Sequence, residues 1–185
     1  MNIASNPNPV LLDRVIQGCQ AVLLAKLKWL DCAFGRTYKL AARAIDGSVF
    51  TYPAVYTGRG EYLSVVPDDT IGNFSFFDIQ DPQSIEYKVQ GKPRLTVKGA
   101  LVFWYDLTTI YADTSVLHTE EIKAEILQVL STPGFLESGR IQITNIYEKA
   151  ESIYKGYSLE KIYAAKSNNI DKQFFIHPYA AIKIE

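Results

Sequence analysis

The side chains best suited to acid–base, nucleophilic or metal chemistry are two histidines and two cysteines, and they are scattered along the chain. His118 precedes Thr119, but neither a His-x-x-x-His nor a Cys-x-x-Cys spacing completes a zinc site. We expect His118 to be a solvated residue before a helix and His177 to be structural. Cys19 lies in an apolar helical stripe, as free core cysteines commonly do. These residues predict no catalytic, cofactor or metal site.

One constellation does match a catalytic pattern. Asp68, after Pro67, together with Glu86 and Lys88 fits the bare Pro-Asp…Glu-x-Lys pattern of Mg²⁺-dependent nucleases. In that chemistry two carboxylates hold the metal, while the lysine supports the attacking water or the developing charge. The pattern also needs a helix after the strand that carries Glu86, whereas Leu95 onward predicts another strand. The alternative is that these residues belong to a polar loop and an exposed strand.

Length and composition narrow the possible functions. A chain of 185 residues predicts a single domain, 1–185, and 48% hydrophobic residues are enough to fill its core. A net charge of −1 supplies no general attraction to nucleic acid or anionic lipid. No Walker or Gly-x-Ser-x-Gly motif is present. Because the start lacks a signal-peptide pattern and no apolar run spans a bilayer, we expect a protein of a reducing compartment without membrane partners.

Two segments show the apolar spacing of amphipathic helices, with polar residues on their other sides. The first is predicted over 9–30, and the second from Thr119 to about residue 131, where Pro133-Gly134 ends it. The apolar residues recur at steps of three and four: Leu12, Val15, Ile16, Cys19, Val22, Leu23, Leu27 and Leu30 in the first helix, and Ile122, Ile126, Val129 and Leu130 in the second.

The remaining elements are strands for the most part. Asp46-Gly47 between two alternating runs is a strong hairpin signal, because such a turn needs positive φ. The apolar run 101–105 indicates a central strand covered on both faces. Strands and helices do not alternate one for one, so we predict an α+β fold: a mixed, largely antiparallel β-sheet with two amphipathic helices packed on one face and an extended hairpin or loop insertion. The other predicted strands are 61–66, 140–147 and 174–184, with a short helix at 150–157.

The stretch 67–94 is irregular and yet rich in aromatic residues. Prolines and glycines interrupt every period, but Phe74, Phe76, Phe77 and Tyr87 lie among them. We predict that this stretch is an insertion or arm that contacts a partner through these rings, with the Asp46-Gly47 hairpin as a second arm. The alternative is that the rings cap an open edge of the subunit's own sheet.

The order of elements resembles that of the tail terminator (tail completion) proteins of bacteriophages and of related head–tail connector, or neck, proteins. The resemblance covers most of the chain and rests on layout. An N-terminal amphipathic helix is followed by a β-meander with a long hairpin or insertion. The apolar strand Leu101-Val102-Phe103-Trp104-Tyr105 then leads into Asp106-Leu107, a loop and the helix 120–130. Two closing strands complete the order, the last running from His177 to Ile184.

The resemblance implies a non-enzymatic structural protein of the virion neck, made in the host cytoplasm, that forms a homo-oligomeric ring. It implies as partners other copies of this chain and other neck and tail proteins, such as the portal or connector and the tail tube. It implies no cofactor and no sequence-specific nucleic-acid binding, and it leaves open whether the ring lines the DNA channel. Six and twelve copies both stay open. A ring subunit needs two different patches, because head-to-tail contacts are heterologous.

Overall fold

The computed structural model describes residues 8–44, 46–68, 70–81, 83–87, 93–133, 135–136, 140–166 and 174–185. The helices in chain order are α1 (Leu11–Lys26), α2 (Leu107–Ile110), α3 (Thr119–Leu130), α4 (Ala150–Ile153) and α5 (Leu159–Lys166). The strands in chain order are β1 (Cys32–Arg43), β2 (Val49–Gly58), β3 (Glu61–Ser64), β4 (Phe74–Ile79), β5 (Ser84–Glu86), β6 (Arg94–Thr96), β7 (Gly99–Asp106), β8 (Ile146–Tyr147) and β9 (Tyr179–Ile184).

Seven strands form one mixed sheet in the order β3-β2-β1-β4-β7-β9-β8. Every neighbouring pair in it is antiparallel except β1 and β4, which run parallel. β5 and β6 form a separate antiparallel hairpin. The predicted α+β fold with a mixed, largely antiparallel sheet and an added hairpin is therefore confirmed.

The strand β7 is central, as its apolar run predicts. It pairs with β4 on one side and with β9 on the other, and its residues 100–105 are all buried. Because side chains alternate along a strand, Phe103 and Tyr105 enter the core on one face of the sheet, while Val102 and Trp104 enter the core on the other. Burial on both faces explains why this segment reads as continuously apolar rather than alternating.

The helices α1 and α3 pack on the same face of the sheet, as predicted. Cys19 and Leu23 of α1 and Ile122 and Ile126 of α3 share one core with Phe103. The helix α1 ends at Lys26, earlier than its apolar spacing suggests, and the leucines at 27 and 30 reach the core from the connection to β1. Within the part of the chain that the structure describes, no helix is long and apolar enough to cross a bilayer.

The opposite face of the sheet is covered by α4, by α5 and by the segment that precedes β9. Buried Trp104 donates from Nε1 to the Phe174 carbonyl at 2.7 Å, which fixes that segment against the sheet. The Tyr154 hydroxyl, which follows α4, donates to the Val65 carbonyl at 3.1 Å. Both contacts satisfy the polar end of a large buried aromatic side chain. The helix α5 was not predicted from sequence, and α4 is shorter than the helix expected at 150–157.

The prediction that 67–94 is an arm outside the sheet is wrong for its middle part. Residues 74–79 form β4, which lies between β1 and β7 in the centre of the sheet. Phe74 and Phe76 are buried there and stack at a centroid distance of 6.2 Å. Within this stretch, only the described part of the β5–β6 hairpin stands apart from the main sheet. The strand β4 was not predicted because turn-forming residues flank it on both sides and its pairing partners are distant in sequence.

Buried Asn73 joins three chain segments just before β4. Its Nδ2 donates to the Trp29 carbonyl and to the Thr109 hydroxyl, each at 2.9 Å, and its Oδ1 accepts from the Asp106 backbone N–H at 2.8 Å. Its own N–H donates to the Asp31 carboxylate at 2.8 Å. The network ties the end of β7 to the connection between α1 and β1. It therefore fixes the end of the sheet from which the 111–118 segment leaves.

The hairpin predicted at Asp46-Gly47 exists and joins β1 to β2, but its turn is wider than two residues. The last strand pair is Arg43 with Val49, and the Ala44 N–H donates to the Ser48 carbonyl at 2.8 Å. Gly47 has φ 81°, which glycine adopts at no steric cost. The Asp46 carboxylate accepts from the Ser48 N–H at 2.9 Å and so stabilises the turn.

Candidate interaction surface

The residues of the nuclease pattern lie in different parts of the fold. Asp68 follows β3 and accepts from the Thr70 N–H at 3.0 Å in a local turn, whereas Glu86 lies on the separate hairpin opposite Arg94. Lys88 lies outside the described residues. No group of three or more His, Cys, Asp and Glu side chains with metal-binding geometry occurs among the residues that the structure describes. The geometry of Asp68 and Glu86 thus corresponds to the alternative of a polar turn and an exposed strand.

Both imidazoles bind the same loop. His118 Nε2 lies 2.9 Å from the Asp113 carbonyl, and His177 Nε2 lies 2.8 Å from the Thr114 carbonyl, so each ring donates to this segment. His118 also stacks on Tyr111 with a centroid separation of 4.0 Å. His118 is therefore a positioning residue for the 111–118 loop rather than a freely solvated side chain, and His177 has the structural role that was expected.

The aromatic residues predicted to contact a partner separate into two groups. Phe74 and Phe76 are inaccessible because both sides of β4 are paired and its faces are covered, so their assignment to a partner surface is wrong. Phe77 is partly buried against the core beneath α1. Tyr87 is 80% exposed beside β5, as an interface residue would be. Asp46 and Gly47 are also exposed, at the tip of the β1–β2 hairpin.

A groove of about 620 Å³ opens where β4, β7 and β9 meet the start of α1. We call it the end groove. Its walls come from segments far apart in sequence: the first half of α1, the strand ends, the base of the β5–β6 hairpin, the end of α3 with residues 135–136, and residues 140–143. Most of its lining is apolar and includes Leu11, Leu12, Leu95, Leu101, Ile141 and Ile143.

The apolar surface continues from the end groove onto the hairpin. An adjoining depression of about 480 Å³ shares Leu11, Leu12 and Leu95 with the groove and extends to Ile85 and Tyr87. Leu11 is 80% exposed, and Val10 beside it is also largely exposed. A contiguous exposed apolar patch, unlike scattered single apolar residues, marks an interaction site on a soluble protein.

The charges around this surface are mainly basic. Arg94 and Arg140 line the end groove and Arg36 lines the adjoining depression, against the carboxylates of Asp13 and Glu185, and Arg94 lies opposite Glu86 on the hairpin. The Glu185 carboxylate is already paired, because Lys183 Nζ lies 2.8 Å from it. A hydrogen bond from Lys183 lowers the pKa of Glu185, so this carboxylate stays ionised and offsets the lysine rather than the arginines. The arrangement favours a ligand with an apolar centre and acidic flanks.

Three exposed tyrosines form a second surface on the outer strands. Tyr62 of the edge strand β3 lies 5.9 Å from Tyr38 and 5.3 Å from Tyr56, measured between ring centroids. The Arg36 guanidinium lies 5.6 Å from the Tyr38 ring, so one arginine adjoins both surfaces. Tyrosine combines a large apolar ring with a polar end, and such residues are common at protein interfaces.

The end groove was missed from sequence, although one signal for it was present. Val10, Leu11 and Leu12 are consecutive apolar residues at a helix start, and a single helical stripe cannot bury all three. Ile85 and Tyr87 likewise alternate on one side of a short strand without an evident partner. Both features indicate excess apolar surface, but the sequence does not show that they meet in space.

No protein-family model matches the chain, and no curated protein or solved structure is significantly similar to it.

Proposed function

We propose that this protein is a structural subunit of a bacteriophage neck, a tail terminator or head–tail connector, that forms a homomeric ring between head and tail. The proposal is supported by the order of elements: the leading amphipathic helix α1, the meander β1–β2–β3, the β5–β6 hairpin, the central apolar strand β7, the helix α3 and the closing strand β9. Its partners are other copies of this chain and the neighbouring portal or connector and tail-tube proteins.

The observation that carries the proposal is the end groove with its extension along the hairpin. Leu11 and Tyr87 expose most of their apolar surface side by side with Val10 and Ile85. Burying one side chain of this size contributes about 1.5–3 kcal/mol, and several together offset part of the entropy lost on association. A closed ring repeats that contact at every subunit, and the final contact forms within one particle at high effective concentration.

Sedimentation and native mass spectrometry at increasing concentration test this function. We expect closed assemblies of uniform copy number, and Leu11→Asp should shift the midpoint of assembly to at least tenfold higher concentration. Leu11 has φ 49°, a conformation that aspartate tolerates better than most residues, so the variant should fold normally. Leu24→Asp is the matched control, because Leu24 is partly exposed on the same helix and does not line the groove.

Two results would contradict the proposal. One is a wild-type protein that stays monomeric at every concentration tested and also when mixed with portal and tail-tube proteins. The other is cleavage of plasmid DNA in the presence of Mg²⁺ that Lys88→Ala abolishes, because that result would establish the nuclease chemistry of Asp68, Glu86 and Lys88 instead.

A further inference from the structure

The 111–118 loop carries two exposed apolar side chains at its far end. Val116 is 52% exposed and Leu117 is 66% exposed, although both neighbours in the loop are polar. Acidic residues stand on either side in sequence, with Asp113 before the pair and Glu120 and Glu121 after it. The loop therefore presents an apolar centre between acidic flanks. We call it the acidic loop.

The acidic loop is held in one conformation before any partner arrives. His118 and His177 each donate to a loop carbonyl, and the Ser115 N–H donates to the Asp113 carboxylate at 2.9 Å. His118 also stacks on Tyr111, so the two ends of the loop contact each other. A loop that is fixed in this way loses little conformational entropy when it binds, so its two apolar side chains contribute more of their burial energy to affinity.

The acidic loop and the end groove lie at opposite ends of the central strand. The loop follows β7 and α2, and His177 binds it from the segment just before β9. The groove is lined by the first residues of β7, such as Leu101, and by Ile184 at the end of β9. At ~3.3 Å per residue, β7 separates the two sites by roughly 23 Å. A subunit's own loop therefore cannot reach its own groove.

The two sites are complementary in both hydrophobicity and charge. The groove is apolar with Arg94 and Arg140 on its wall, and the loop is apolar with Asp113 and Glu121 beside it. The Glu121 side chain is more than half exposed, and its carboxylate lies 3.6 Å from His118 Nδ1 within the same subunit. Opposite charges arranged around an apolar contact guide association and fix its register.

We infer that the acidic loop of one copy binds in the end groove of the next copy, with Val116 and Leu117 against the groove's apolar wall and the loop carboxylates near Arg94 and Arg140. The contact is head-to-tail, so it is heterologous and closes into a ring if the rotation between neighbours permits. This inference rests on the proposed function and names the interface through which its ring forms.

Mixing two variants tests the inference directly. The loop variant is Val116→Ser with Leu117→Lys, and the groove variant is Leu11→Asp with Arg140→Glu. Each variant alone should remain at the 20.8 kDa monomer mass under conditions in which the wild type assembles. Mixed in equal amounts they should form a dimer of twice that mass and nothing larger, because one intact loop and one intact groove remain. Ile176→Ser is the control, since Ile176 is an exposed apolar residue near the loop and outside it.

A covalent trap extends the test to weak association. Leu117→Cys with Ile141→Cys, treated with a flexible bismaleimide, should give a ladder of linked copies, while either single variant should stop at a linked pair. The natural cysteines, Cys19 and Cys32, are buried, and because Cys19 lines the end groove the trap is made in a Cys19→Ala background.

The possible outcomes separate this inference from the proposed function. If wild type forms rings and both paired variants assemble equally well, the acidic loop is not the contact, and the ring proposal stands. If the contact forms but yields open filaments, the inference stands, and the ring proposal fails. If no ladder and no assembly appear at any concentration, including in mixtures with portal and tail-tube proteins, both are wrong.

Discussion

Two neighbouring segments, residues 73–77 with three phenylalanines and residues 83–87 with Ile85 and Tyr87, differ sharply in burial. The first lies in β4 between two paired strands, and Phe76 is 3% exposed. The second lies on β5, which pairs only with β6, and Tyr87 is 80% exposed. Both come from the same irregular stretch of sequence. The strand β4 is paired on both edges and β5 on one edge, so the number of strand partners distinguishes the buried apolar side chains from those that remain available for another molecule.

The largest loss of stability is expected from a substitution in the buried segment, β4. Phe76→Ala removes a ring that packs against Phe74 and Tyr154, so it should lower the free energy of unfolding by about 3–5 kcal/mol. Tyr87→Ala should change it by less than about 0.5 kcal/mol, because the ring is already in water. Urea denaturation of both variants measures the difference. Equal losses would mean that the hairpin is part of the core.

A smaller loss in the free energy of unfolding is expected at Asn73, the buried polar residue just before β4. Asn73→Ala leaves the Asp106 N–H and the Trp29 carbonyl without their buried partner, at a cost of about 2–3 kcal/mol. Asn145→Ala is the control, because Asn145 is exposed and its hydrogen bonds are to exposed groups. The melting temperatures of the two variants provide the comparison. A neutral Asn73→Ala variant would show that the network does not hold the end of the sheet together.

A gain of about 1 kcal/mol in the free energy of unfolding is expected when a buried polar atom without a hydrogen-bond partner is removed. The Tyr105 hydroxyl is buried and has no hydrogen bond among the described residues, and burial raises the pKa of this phenol. Tyr105→Phe removes that cost while keeping the ring against Trp29. Calorimetry should show a higher melting temperature, in contrast to the loss at Asn73. A lower melting temperature would indicate a hydrogen bond formed in solution.

The smallest expected effect is on the pH dependence of stability, to which Glu185 and Asp78, near the end groove, contribute with opposite signs. The pKa of Glu185 is lowered by the hydrogen bond from Lys183, so its contribution to stability is present above its unfolded pKa and is lost as the pH falls. Burial raises the pKa of Asp78, which Lys183 partly counteracts, so its contribution is greatest at low pH and is lost as the pH rises.

Unfolding measured between about pH 3 and pH 6 tests these two signs. Glu185→Gln should flatten the loss of stability in acid, whereas Asp78→Asn should raise stability toward neutral pH. Slopes of the same sign for the two variants would contradict the assignment.

The parts of the fold that the sequence predicted are those with a complete local signal. The strand β7 is a continuous apolar run, α1 and α3 have regular apolar spacing, and Gly47 marks a turn. The strand β4 was missed because its signal lies in pairing with β1 and β7, which are distant along the chain. The helix α5 was missed because its apolar residues, such as Ile162, pack on another segment rather than forming a strong stripe.

The candidate site was predictable only in part for the same reason. Tyr87 was expected at a partner surface and is exposed, whereas Phe74 and Phe76 were assigned there wrongly. The end groove joins segments from residue 10 to residue 185, and no local pattern brings them together. The resemblance to phage neck proteins stays a prediction, and the assembly experiments decide it.

The position of β9 in the chain has a consequence for synthesis. The strand β7 needs β9 to satisfy its second edge, but β9 begins more than 70 residues after β7 ends. At about 5–20 residues per second, a ribosome makes that intervening segment in roughly 4–15 seconds. Throughout this interval the most apolar strand of the protein has an open edge. Ile184, which closes that edge, also lines the end groove, so a nascent chain cannot offer a finished docking site before its own central strand is protected.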